Sequence, residues 1–320
     1  MLEYLMLLLG IIVLIKSADF LVDGSSSLAK KIGISSLIIG LTIVSFGTSM
    51  PELMVNVIAS LTGNGNIAFG NIIGSNMANM LLILGFTALI TQLKIQESTI
   101  FKEIPFSLLA AVVLLIFSNI LILDKVSDNY LTRSDGLILI LFFIIFFGYI
   151  ISTALREKNK NKKEFEIKNL SNTKSIFYIS LGIIGLYLGG QWTIDAAVTI
   201  ATNFGISEFL IASTIIAIGT SLPELVTSVR AAMKKNVDLA VGNAVGSNIF
   251  NIFWILGISA IIKPIPIPEF VTIDIIILVF STILLFLFIF LGKKYHLTKL
   301  EGGIMLIVYL IYLIFIILRG

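Results

Sequence analysis

Long stretches of this chain run without an ionisable side chain. Leu108–Phe117, Leu137–Ile151 and Ile275–Leu291 are almost wholly apolar, and with their flanks each reaches the roughly 20 residues that carry a helix across a bilayer. Followed from end to end, the pattern predicts ten spans, at about 2–22, 36–60, 67–93, 103–123, 133–154, 175–200, 208–233, 238–262, 270–292 and 300–318. The apolar residues are continuous and do not alternate with polar ones, which excludes an outer-membrane barrel. The first apolar run is read as a span and not as a cleaved leader, because Glu3 stands where a basic n-region belongs and no A-x-A site follows. The predicted fold class is an all-α polytopic membrane protein.

Composition agrees. Of 320 residues 57% are hydrophobic and only 13% charged, about half the charged fraction of an ordinary soluble domain. Cysteine is absent, so no disulfide framework is available. The net charge of +3 is too small for a nucleic-acid footprint and serves instead to orient loops. With the N-terminus outside, Lys30, Lys31, Lys94, Lys102, Arg156, Lys174, Arg230, Lys234, Lys235, Lys293, Lys294, Lys299 and the lysines of 155–174 are cytosolic. Only Lys125, Arg133, Lys263 and Arg319 are outside. The positive-inside rule favours that orientation, with both termini extracellular in a cell-membrane protein. The 155–174 segment, rich in Lys, Asn and Glu, reads as a solvated cytosolic linker.

An internal repeat then organises the chain. At a constant offset of 172 residues (Glu52 to Glu224), Gly47-Thr48-Ser49-Met50-Pro51-Glu52-Leu53 matches Gly219-Thr220-Ser221-Leu222-Pro223-Glu224-Leu225. Gly33-Ile34-Ser35 matches Gly205-Ile206-Ser207. Gly70-Asn71 and Gly74-Ser75-Asn76 match Gly242-Asn243 and Gly246-Ser247-Asn248, while Asn79 matches Asn251 and Asp23 matches Asp195. The halves are 1–154 and 175–320, each with five expected spans. An odd number makes the second half enter from the opposite side, giving two inverted five-helix repeats, a design that places substrate near the midplane on interrupted helices. The interruptions are marked by Pro51 and Pro223, which have no N–H for the carbonyls of Gly47 and Gly219.

Beside each interruption lies a carboxylate. Glu52 and Glu224 are the acids placed near the middle of a span outside the first, and an intramembrane carboxylate is a functional candidate by default. Oxygen donors surround them: Thr48, Ser49, Ser75 and Asn79 in one half, Thr220, Ser221, Ser247 and Asn251 in the other. With no cysteine, and the single histidine, His296, in a loop, the set favours a hard cation bound by oxygen. Calcium's 6–8 oxygen ligands suit it, sodium suits it in several smaller sites, and magnesium, which holds its water, suits it less.

The duplicated G-T-S-x-P-E and G-N-x-x-G-S-N-x-x-N resemble the α-repeats of the Ca²⁺/cation antiporter superfamily, and specifically its sodium/calcium exchangers. The resemblance implies ten helices and exchange of cytosolic Ca²⁺ for entering Na⁺. It implies that Glu52 and Glu224 bridge Ca²⁺ with the carbonyls of Thr48 and Thr220. It also implies flanking Na⁺ sites from Ser49, Ser75, Ser221, Ser247 and the carbonyls of Ser45 and Ala217. Asn at both 79 and 251 departs from members with an Asp there and argues against potassium co-transport. Large calcium-sensing domains like those of the animal exchangers are not expected, nor is a protein partner or a cofactor beyond the transported ions.

Three other functions compete. A proton-coupled exchanger of the same superfamily would load the glutamates with H⁺; the hydroxyl donors favour Na⁺. A passive channel would ring its pore with identical subunits, and an intramembrane enzyme would show H-E-x-x-H, G-x-S-x-G or a P-loop. Of the remaining polar residues, Gly74 and Gly246 read as close-packing positions, Asn71 and Asn243 as either ligands or supports, and Asp23 and Asp195 as caps or interhelical partners. Lys16 and Asp19 are expected to pair on one helix face. Spans 1 and 6, with small residues at their ends, are the expected moving parts.

Overall fold

In the computed structural model, residues 2–119, 129–157, 168–205 and 217–319 are described. Eight helices among them are long and apolar enough to cross a membrane. In chain order the helices are α1 (Leu2–Ile32), α2 (Ser36–Thr48), α3 (Met50–Thr62), α4 (Gly65–Ile90), α5 (Thr99–Phe117) and α6 (Arg133–Glu157). There follow α7 (Asn172–Asn203), α8 (Ala217–Gly219), α9 (Leu222–Met233), α10 (Val237–Ile262), α11 (Val271–Leu291) and α12 (Lys299–Arg319). The pair α2 and α3, bent by 50°, makes a ninth candidate span when the two are taken as one. The expected span 208–233 is described as α8 and α9. Its residues 208–216, with Ile206 and Ser207 of the repeat, 120–123 of the fourth span and 158–167 of the linker, lie outside the described residues. The protein is thus a mostly helical, multi-pass membrane protein.

Helix α1 runs ten residues past its expected end at 22. Gly24-Ser25-Ser26-Ser27, which resembles a break in sequence, is buried against α7. A Cβ at Gly24 would stand 2.8 Å from the Ser175 carbonyl. Small residues here permit close helix approach, the usual membrane use of such a run. The α1–α7 contact repeats itself reciprocally. A Cβ at Gly10 would meet Thr193 Oγ1 at 2.5 Å and one at Gly182 would meet Leu21 N at 2.7 Å; Gly10 and Gly182, like Leu21 and Thr193, are equivalent positions. Gly185 lies against Ser17 in the same way, and Gly189 against Val13.

Short strands tie the halves together. The pair β1 (Leu93–Lys94) and β4 (His296–Leu297) is antiparallel, as is β2 (Tyr130–Leu131) with β3 (Ile265–Pro266). Residues 93–94 and 265–266 are repeat equivalents, so each half lends a strand to the other. A large apolar core joins α4, α5, α6, α10, α11 and α12, and a second one lies between α1, α2, α7 and α9. The turns obey the repeat as well. Gly33 and Gly205 both have φ +75°, and Gly63 at φ +76° is answered by Lys235 at φ +61°.

Candidate cation site

Both glutamates sit where a helix restarts. Ser49 leaves helical geometry at φ −85°, ψ 12°, and Ser221 does so at φ −87°, ψ 3°. Pro51 and Pro223 then occupy the first turn of α3 and α9, with Glu52 and Glu224 behind them. Proline is tolerated there because the first N–H groups of a helix have no partner, and the positive end of the helix dipole faces the carboxylate. Glycine allows the breaks to be approached closely. A Cβ at Gly47 would come within 2.6 Å of the Ile183 side chain, and one at Gly219 within 2.5 Å of Ile194, both on α7.

The expected residues converge. Glu52 and Glu224 are 0% and 1% exposed, and the two breaks touch through a hydrogen bond from one to the glutamate of the other. Ser49 Oγ donates to Glu224 Oε1 at 2.9 Å across the two halves, and Ser75 Oγ donates to Glu52 Oε1 at 3.3 Å. Asn71 Nδ2 donates to the Glu52 carbonyl and Asn243 Nδ2 to the Glu224 carbonyl, each at 3.2 Å. Their side-chain oxygens receive hydroxyls from the opposite half: Thr48 donates to Asn243 Oδ1 at 3.0 Å and Thr220 to Asn71 Oδ1 at 3.4 Å. These two asparagines, readable either way in sequence, are supports that set the position of the glutamate backbone.

Asn79 and Asn251 belong to a second reciprocal lattice, between α4 and α10. Asn79 Nδ2 donates to Asn248 Oδ1 at 2.9 Å, and Asn251 Nδ2 donates to Asn76 Oδ1 at 3.1 Å. Both lie at the start of widened, π-type turns at Ala78–Ile83 and Phe250–Leu256, a distortion often found at functional positions. Asn76 and Asn248 were not singled out as site residues in the sequence; their place three residues before Asn79 and Asn251 was the available signal. Ser45 is the least available expected donor, since its carbonyl already accepts from Ser49 N at 3.0 Å and Thr48 Oγ1 at 3.3 Å. Ala217 opens α8.

What remains unpaired matters most. Glu52 Oε2, Glu224 Oε2, Asn79 Oδ1 and Asn251 Oδ1 are buried oxygens without a hydrogen bond to protein, as are the hydroxyls of Ser221 and Ser247. A buried acceptor left unsatisfied costs about 1–3 kcal/mol, and more when charged. Buried oxygens of this kind, carboxylate, amide and hydroxyl, are the ligands a hard cation takes.

Comparison with known proteins gives a family. Residues 2–152 and 174–318 match the model of the family described as "Sodium/calcium exchanger protein". The sodium/calcium exchanger MaX1 of Methanosarcina acetivorans is 31% identical, over 98% of this chain and 97% of its own length. Inner membrane protein YrbG of Escherichia coli is 35% identical, over 81% and 79%. Among solved structures, the sodium-calcium exchanger NCX_Mj soaked with 10 mM Na⁺ superposes with a TM-score of 0.81 at 30% identity, covering 97% of both chains.

Proposed function

Since the chain belongs to the sodium/calcium exchanger protein family, and is therefore a membrane antiporter and not an enzyme, we propose that it exchanges Ca²⁺ for Na⁺ by alternating access. The cargo site lies between two inverted halves, 1–154 and 175–320, joined by the cytosolic linker 155–174, with both termini extracellular. The observation that carries the reading is a set of buried, unpaired oxygens contributed in equivalent pairs by the two halves: Glu52 with Glu224, and Asn79 with Asn251. Two carboxylates neutralise one Ca²⁺. The freed ends of α2 and α8 add the carbonyls of Thr48 and Thr220, on the negative side of each helix break.

Sodium takes the flanks. Ser221 and Ser247 have free hydroxyls, and Ser49 and Ser75, whose protons go to the glutamates, keep oxygen lone pairs that an ion can take; the carbonyls of Ser45 and Ala217 complete the set. Two ionised glutamates without a cation repel each other by several kcal/mol where the surroundings screen poorly, so the empty carrier resists crossing between its open forms. One cargo must replace the other before the site can turn. That is coupling by charge.

The second reading is proton coupling, favoured by the burial of both carboxylates, Glu52 and Glu224. Purified protein in liposomes decides between the two. An outward-directed Na⁺ gradient should drive ⁴⁵Ca²⁺ uptake, while a pH gradient of equal size should not. Uptake driven by pH alone would replace Na⁺ with H⁺, and uptake without any counter-cation would end the exchange reading altogether.

A further inference from the structure

The repeat is close to exact around the glutamates and fails at the ends of the helices that carry them. Helix α9 leaves Glu224 and finishes in Arg230 and, one residue past its end, Lys234. Both reach back to α1. Arg230 Nε and Nη2 form a two-toothed contact with the Asp19 carboxylate at 2.8–2.9 Å. Lys234 Nζ lies 2.9 Å from Asp19 Oδ1 and 2.7 Å from Asp23 Oδ1, and also donates to the Asp19 carbonyl at 3.3 Å. Lys168, from the linker, takes Asp23 Oδ2 at 2.8 Å. The expected Lys16–Asp19 pair does not form. Asp19 turns to Arg230 instead, since a guanidinium fork fits a carboxylate in two bonds, and Lys16 lines the same cleft of about 350 Å³.

Among the described residues nothing corresponds at the other end of the repeat. The equivalents of Arg230 and Lys234 are Ile58 and Thr62 on α3, and Ile58 is 58% exposed. Those of Asp19 and Asp23 are Gln191 and Asp195, which bond to each other along α7 at 2.8 Å. The close glycine seam between α1 and α7 makes those two helices one body. One end of that body is therefore pinned to α9 by charge and the other end is not.

We propose that Asp19, Asp23, Arg230 and Lys234 form an ionic latch that holds shut the cargo path on the face of the 155–174 linker, and that this latch must open each time cargo is exchanged there. The latch adds to the exchange reading and rests on it for the meaning of an open path. Its carboxylates are 21% and 12% exposed, sheltered enough for the pairs to outlast physiological salt. Lys168 joins from the linker, so the linker tightens the latch.

The chain has no cysteine of its own, so spin labels at Ile15→Cys on α1 and Met233→Cys on α9, both exposed positions, report the α1–α9 distance in the full-length protein in nanodiscs. Asp19→Asn with Asp23→Asn should move the distribution to a longer, broader one, while Asp19→Arg with Arg230→Asp should restore much of the original. In liposomes the first variant should lower the Ca²⁺ concentration for half-maximal exchange at the linker face by about threefold to tenfold relative to the opposite face. Asp195→Asn at the unlatched end should leave the distance unchanged. Coincident distributions for the wild type and the Asp19/Asp23 variant would overturn the latch. The distance measurement needs no transport, so a wild type that exchanges no Ca²⁺ for Na⁺ would remove the exchange reading while leaving the latch still decided.

Discussion

The break at Glu52 and the break at Glu224 are built from the same residues and are bonded differently. Glu224 is held by a serine from the opposite half, Ser49, whereas Glu52 is held by Ser75 of its own half. The counterparts Ser221 and Ser247 hold nothing. Further out the halves diverge in sequence as well. Helix α3 ends on Gly63, free to adopt φ +76°, and α9 is followed by Lys235, which adopts φ +61° against its own Cβ. The residues are thus the same in both halves where cargo would touch, though bonded differently, and differ in kind where each helix meets its membrane face. A carrier that must present one site to two unlike solutions needs both properties.

The sharpest way to break this comparison is at the carboxylates. Glu52→Gln and Glu224→Gln should each abolish Ca²⁺ transport, a fall of about 100-fold or more in exchange rate, because calcium affinity follows the charge of its ligands. Normal ⁴⁵Ca²⁺ flux in either variant would mean the cargo sits elsewhere. Unequal losses would show that the difference in bonding carries over to binding.

A smaller effect is expected at the α1–α7 seam. Gly182→Ala places a methyl within 2.7 Å of Leu21 N, and overpacking of that kind costs about 1–3 kcal/mol. Gly10→Ala, its equivalent, should cost a similar amount in a detergent melting experiment. A large loss in one and none in the other would show that the reciprocal packing is only apparent.

Ser49→Ala and Ser221→Ala separate pairing from ligation. The first removes a hydrogen bond to Glu224 and should destabilise the protein by about 1.5 kcal/mol, the lower range for a bond to a charged group. Loss of the Ser221 hydroxyl, which pairs with nothing, should leave the melting temperature alone and raise the Na⁺ needed for half-maximal exchange by about threefold. Equal melting shifts would contradict the difference in bonding.

The smallest effect lies at the turn. Lys235→Gly removes a left-handed residue with a Cβ, worth roughly 1 kcal/mol per residue, and should raise thermal stability while leaving exchange untouched. The reverse change, Gly63→Lys, should lower it by a similar amount.

Much of this was legible in the chain itself. Spans followed from the continuous apolar runs, the helix breaks from Pro51 and Pro223, and the glutamate cluster from the duplicated motif. The extension of α1 to Ile32 was not legible, because a Gly-Ser-Ser-Ser run reads the same whether it ends a helix or lies buried along a neighbour. The Asp19–Arg230 contact escaped for a related reason. Those residues lie 211 positions apart, and without a fold the only visible partner was Lys16, on the same helix face. Glu103 was placed at the edge of a span, yet it is 1% exposed and bonded to the Tyr149 hydroxyl. Its burial depends on α6, which no local pattern could place beside it.

The paired strands at 93–94 with 296–297 and 130–131 with 265–266 carry a consequence for how the molecule survives damage. Because each side contributes a rung to the ladder of the other, the covalent bridge between them is not what keeps them in one piece. Cleavage between residues 157 and 168 should yield two fragments that migrate separately when denatured and purify as a single interlaced particle when they are not.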